Sequence, residues 1–211
     1  MTLTQYRINR DGVDRLLFLF HGYTAEQHHL ASYVPLVDPD ERFTAIAPRG
    51  PLTMPDGDGA GWWHIDLQTF EQDLSMFKSS METLQELIVT EAEAANVPIE
   101  RCVVGGFSQG GYLALALAGQ PDAPAYAGVW AICCGLPVAE DVTVDLSNGA
   151  GRPALFQWGT KDVFIGPDRP LEVISTLEAG GWDLRHHAYD MAHSQTIEMM
   201  VDAREWLAGL L

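Results

Sequence analysis

Short, unbroken apolar runs alternate along the chain with longer stretches in which apolar residues recur every three or four positions. The runs at Leu16–Phe20, 43–47, 102–106, 127–133 and 154–158 carry almost no polar residues to show to water. They predict strands covered on both faces, and Asp183–Tyr189 is a sixth candidate. The clearest helical stripe spans residues 69–95, with Phe70, Leu74, Phe77, Met81, Leu84 and Leu87/Ile88 on one side. Glu82, Glu86, Glu91 and Glu93 fall on the solvated side, and Pro98 closes the segment. Shorter helices are predicted over 26–37, 108–119, 169–179 and 194–210.

Strands alternating with helices define an α/β domain with a mainly parallel sheet and helices on both faces. Residues 6–9 add an edge strand through the Asp11-Gly12 turn, a dipeptide that favours hairpins. No repeat, linker or low-complexity tract divides the chain, so residues 1–211 are expected to form one domain. In such a sheet ligands bind beyond the carboxyl ends of the strands. The chemistry should therefore sit where strands stop.

Composition narrows the classes. Hydrophobic residues make up 47% of 211, enough for a substantial core, which excludes disorder and a disulfide-stapled miniprotein. The 29 acidic residues against 12 basic ones leave a net charge of −17, and only Lys78 and Lys161 are lysine. Such a surface repels phosphate backbones, so no nucleic-acid partner is expected, and it is of a kind halophilic proteins use. The longest apolar runs fall far short of the roughly 20 residues a membrane span needs, so no integral membrane association is expected. The N-terminal stretch has no apolar core before a cleavage site, and the three cysteines are odd in number, with Cys133 and Cys134 adjacent. A cytoplasmic protein with cysteines as small buried apolar side chains is the expectation.

Gly106-Phe107-Ser108-Gln109-Gly110 is a G-x-S-x-G pentapeptide between a predicted strand and a predicted helix. In that setting a sharp turn lifts the serine hydroxyl clear of the sheet at a helix N-terminus. A serine hydroxyl needs a base, and His193 lies in the loop after the last strand. His186 and His187 fall within that strand and read as packing or surface residues. Asp162 follows the 154–158 strand and can orient the imidazole. Asp168 reads instead as a helix-start residue and Asp190 as a turn residue. The order Ser108, Asp162, His193 is the one expected for this architecture. A metal site built from His21, His28 and His29 is a weaker reading, because adjacent histidines on a helix diverge by about 100°.

With these residues in view the chain resembles an α/β-hydrolase, and within that fold the phospholipase/carboxylesterase family that includes the acyl-protein thioesterases. The resemblance spans almost the whole length. It is carried by Phe20-His21-Gly22, Ala47-Pro48-Arg49-Gly50-Pro51, Gly61-Trp62-Trp63, Gly105-Gly106-Phe107-Ser108-Gln109-Gly110-Gly111, Gly159-Thr160-Lys161-Asp162 and Ala192-His193-Ser194. It implies a carboxylesterase- or phospholipase-type serine hydrolase acting on a small-molecule acyl ester or thioester, with neither metal nor organic cofactor. Its triad falls on Ser108, Asp162 and His193. The oxyanion donors would be the backbone N–H of Gln109, at the start of the nucleophile's helix, and, by the resemblance, that of Tyr23.

Residues 135–152 are too few for a helical cap domain, so the site should be open. The Gly- and Pro-rich loop 48–61 with Met54, then Trp62 and Trp63, is the expected substrate wall. Leu136 and Phe164 are further candidates, with apolar contacts gripping the acyl group. The same fold and triad also serve lactone or dienelactone hydrolases and perhydrolases, and some members of the fold are non-catalytic binding proteins. Homodimerisation stays open.

Overall fold

The computed structural model describes residues 3–55, 57–69, 71–139 and 141–210. Every residue of Leu16–Phe20 is buried in it, as an unalternating apolar strand demands. Along that strand Leu16, Phe18 and Phe20 face one hydrophobic cluster while Leu17 and Leu19 face a second. The sheet therefore has a core on each side.

Among the described residues that sheet has seven strands: β1 (Gln5–Ile8), β2 (Leu16–Phe20), β3 (Thr44–Pro48), β4 (Cys102–Phe107), β5 (Gly128–Ile132), β6 (Pro153–Gly159) and β7 (Asp183–Tyr189). They lie in the order β1-β3-β2-β4-β5-β6-β7, and all pairs are parallel except β1 with β3. Among the described residues six α-helices cover it: α1 (His28–Ala31), α2 (Val34–Val37), α3 (Phe77–Ala95), α4 (Gln109–Ala118), α5 (Asp168–Ala179) and α6 (Ile197–Gly209). Phe77 and Leu84 of α3, Leu113 of α4 and Val173 of α5 join the cluster that contains Phe18. Leu30 of α1, Val34 of α2 and Met199 of α6 join the one containing Leu17. The helices thus divide between the two faces, the α/β-hydrolase arrangement with no large cap.

The differences from the sequence pattern have local causes. The edge strand forms, but it does not pair with the strand reached through the Asp11-Gly12 turn. Both edges of β2 are taken by parallel neighbours, so β1 pairs with β3, Tyr6 opposite Ala47. Gln5 and Arg7 then bind Glu91 of α3, so this glutamate is half-buried and not purely solvated. The long helix begins at Phe77, after the two-residue strand Gln72–Asp73 and a single 3₁₀ turn. There the Asp73 side chain accepts the Ser75 N–H at 3.0 Å and sets the start. Phe70 lies outside the described residues. The stretch 26–37 is two one-turn helices, since Pro35 at the start of α2 has no N–H to continue the first. Among the described residues no helix is long and apolar enough to cross a membrane, and none lies between Gly135 and Arg152.

Candidate active site

Ser108, Asp162 and His193 each lie one to four residues beyond the carboxyl end of a parallel strand, β4, β6 and β7 respectively. Ser108 sits between β4 and α4 with φ 55° and ψ −116°, a conformation that L-residues rarely adopt. The flanking glycines make that turn possible. A Cβ on Gly106 would lie 2.3 Å from the Gly110 carbonyl carbon, and one on Gly110 would lie 2.0 Å from the Phe20 oxygen. Strand and helix can approach this closely only without those side chains. The Ser108 N–H donates to Ile132 O at 2.8 Å, tying the turn to β5.

The loops carrying Asp162 and His193 are fastened together. Thr160 N–H donates to Tyr189 O at 2.8 Å and Lys161 N–H to Met191 O at 2.9 Å. A Cβ on Gly159 would meet Met191 O at 2.4 Å, so the Gly of Gly-Thr-Lys-Asp lets the second loop lie on the first. The outcome is a 2.7 Å contact between His193 Nδ1 and Asp162 Oδ2. The other carboxylate oxygen accepts the N–H groups of Phe164 and Ile165 at 3.0 and 3.1 Å, and Asp162 is only 5% exposed. The imidazole is held between the rings of Phe107 and Phe164, at centroid distances of 4.8 and 5.3 Å. Of the other acids considered, Asp168 is the first residue of α5 and Asp190 Oδ1 pairs with Lys161 Nζ at 2.7 Å.

Ser108 and His193 share a cavity of about 400 Å³ with Tyr23, Thr24, Gln109 and Trp63. Gln109 opens α4, so its N–H has no acceptor inside the helix. The Gln109 side chain, fully buried, accepts the Trp62 N–H at 2.9 Å and donates to Trp63 O at 2.8 Å. It clamps the double-tryptophan segment against the nucleophile's helix, a duty that nothing in the linear pattern signalled. Both tryptophans are buried in one core; Trp63 also borders the cavity, whereas Trp62 does not and gives its indole N–H to His21 O at 2.9 Å. Met54 is also buried, against the Gly59–Gly61 backbone, and does not line this cavity. Phe164 does, whereas Leu136 lines a neighbouring cavity. Tyr112 and Arg169 line both, and sequence reasoning missed them. The available signal was the spacing of Tyr112, one helical turn after Ser108.

His21 shapes the loop that holds Tyr23. Its Nδ1 lies 2.7 Å from Gly22 O and its Nε2 accepts the Gly50 N–H at 2.9 Å, so the geometry calls for the neutral Nδ1–H form. Burial pushes its pKa down to about 4. Both ring nitrogens are spent, and among the described residues His21, His28 and His29 form no metal-binding cluster. Because the unfolded chain protonates near the ordinary 6.5 and the folded one only near 4, the penalty appears as pH falls through this window. It should cost roughly 2 kcal/mol of stability by pH 5. Urea unfolding at pH 7.5 and pH 5 should show that loss in the native sequence and a smaller one in His21→Gln. Equal losses would contradict it.

Among the described residues one group of metal-ligand type is close-set: Cys133, Asp162 and His193, with candidate ligand atoms within 4.8 Å of one another. It is poorly suited to an ion. The carboxylate and imidazole are spent on each other, and burial beside Asp162 pushes the Cys133 thiol up to about 12. The same protonation makes Cys133 a poor nucleophile. Cys102, Cys133 and Cys134 are all free and buried.

Fold and strand-end site together define an α/β-hydrolase. The chain belongs to the phospholipase/carboxylesterase family, whose sequence profile matches residues 7–211. It is similar to acyl-protein thioesterase 1 of Candida albicans, 26% identical over 185 residues, covering 82% of this chain and 79% of that one. The same protein of Debaryomyces hansenii is 27% identical over 183 residues, covering 83% and 75%. Among solved structures, a carboxylesterase of Bacillus cereus superposes with a TM-score of 0.83 at 18% identity, covering 99% of this chain and 95% of that one. That likeness is one of fold.

Proposed function

We propose that the protein hydrolyses carboxylic esters, and thioesters of similar size, through an acyl-enzyme on Ser108. The observation that carries this reading is the cavity shared by Ser108 and His193, with the imidazole hydrogen-bonded from behind to buried Asp162. Asp162 holds the proton on Nδ1 and leaves Nε2 free to accept. His193 takes the Ser108 proton as Oγ attacks the acyl carbon, and the carbonyl oxygen becomes an oxyanion held by the N–H groups of Tyr23 and Gln109. The imidazolium then gives its proton to the departing alcohol or thiol as the bond to it breaks. Water attacks the acyl-serine with His193 again as base, the acid leaves, and the proton returns to Ser108. These steps draw only on the chain, its substrate and water.

The family likeness, the absence of a helix between Gly135 and Arg152 among the described residues, and the aromatic walls Trp63 and Phe164 all favour accessible acyl groups. The purified protein should therefore turn over short-chain esters and thioesters in a panel that also holds lysophospholipids and lactones. Turnover of lactones alone would contradict the ester reading. No turnover of any member would contradict the enzymatic one.

A further inference from the structure

One residue lining the Ser108 cavity is out of character for the chain. Arg169, near the start of α5, lines both the Ser108 cavity and an adjoining one of about 440 Å³. Among the described residues the Ser108 cavity is lined by no aspartate or glutamate, in a chain with 29 acids and 12 Lys and Arg. Among the described residues no carboxylate pairs with Arg169. Glu172, one turn further along α5, lines only the outer cavity.

The arginine is aimed, not adrift. A Cβ on Gly135 would come within 3.3 Å of both Arg169 Cβ and Cδ and 3.0 Å of the Tyr112 hydroxyl, so glycine there lets the arginine stem lie across to the tyrosine. The Arg169 guanidinium and the Gly135 backbone lie close enough to the Tyr112 hydroxyl to offset part of the rise that burial gives its pKa. Burial raises the pKa of the phenol and keeps its O–H, which can donate to a ligand. Tyr112 N–H reaches Ser108 O at 3.1 Å, which puts this pair a single helical turn from the nucleophile.

We infer that Arg169 and the Tyr112 hydroxyl form an anion subsite, and that the preferred substrate is an ester whose acyl chain ends in a carboxylate a short spacer from the scissile carbonyl. This rests on the acyl-enzyme reading above. The leaving group must lie beside His193, which protonates it, between Phe107 and Phe164. The acyl part is then assigned to the walls that Trp63, Tyr112 and Arg169 contribute. A surface carrying a net charge of −17 repels anions in general, so an anionic acyl chain needs a local cation of this kind. The guanidinium supplies it with geometry suited to a carboxylate.

The test is hydrolysis, followed by pH-stat, of monoethyl succinate and monoethyl glutarate beside their neutral isosteres ethyl 4-methylpentanoate and ethyl 5-methylhexanoate. A hemiester should be favoured in kcat/KM over its isostere, mainly through KM. Arg169→Gln should lower that ratio about tenfold, and Arg169→Lys should recover part of it. Tyr112→Phe should lower it less. A ratio at or below one in the native sequence, or a ratio unmoved by Arg169→Gln, overturns the inference while turnover of the neutral esters leaves the acyl-enzyme reading intact. Loss of all four activities would overturn both.

Discussion

Ser108→Ala is expected to lower ester turnover by a factor of about a million while leaving the fold unchanged. The change removes one oxygen and nothing that holds the turn. Alanine keeps the Cβ, so the backbone at φ 55° is no more strained than before, and the close approach of Gly106, Gly110 and Phe20 is untouched. The backbone bond from residue 108 to Ile132 O also survives. Residual activity should come only from substrate binding and the N–H groups of Tyr23 and Gln109, acting on a water that His193 activates. Paired measurements of turnover and urea unfolding check both halves. Retention of more than a hundredth of the activity would mean that another group forms the covalent bond.

Asp162→Asn should cost about ten-thousandfold in kcat, again with little change in unfolding. The reason is the direction in which the amide must sit. One carboxylate oxygen accepts the N–H groups of Phe164 and Ile165, so the asparagine oxygen will take that position. Its NH₂ then faces His193 Nδ1 and compels that nitrogen to accept. The imidazole proton moves to Nε2, which can no longer take the proton of Ser108. Flipping the amide would set NH₂ against two N–H donors, at a higher cost. Steady-state kinetics of Asp162→Asn on one ester suffice. A loss below tenfold would show that the carboxylate only packs against the histidine.

Much of this molecule was readable from apolar pattern and turn chemistry. The buried strands β2 to β6 announce themselves because a strand covered on both faces has no reason to alternate. β7, at the sheet edge, is legible as a sixth strand candidate over Asp183–Tyr189, and the His193 loop follows it. The three strand-end groups were readable because each comes directly after a short strand-like run, and because Gly106 and Gly159 mark the places where two backbones touch. What escaped were decisions made in three dimensions. Nothing local separates Trp62 from Trp63; both are buried in one core, on a backbone that Gln109 fixes, and of the two Trp63 also borders the cavity. The edge strand's partner depends on which edges of β2 are free. The start of α3 depends on Asp73, whose capping role the apolar stripe outweighed. Arg169 comes to lie beside Gly135 and Tyr112, which no local pattern in the sequence brings together.

The central claim is that Ser108 becomes covalently acylated, and active-site labelling reaches it most directly. The purified protein should react with a fluorophosphonate to one equivalent, measured by intact mass. Peptide mapping should place the adduct on the Ser108 hydroxyl, and Ser108→Ala should not react. Labelling at another residue, or unchanged labelling of Ser108→Ala, would contradict the account.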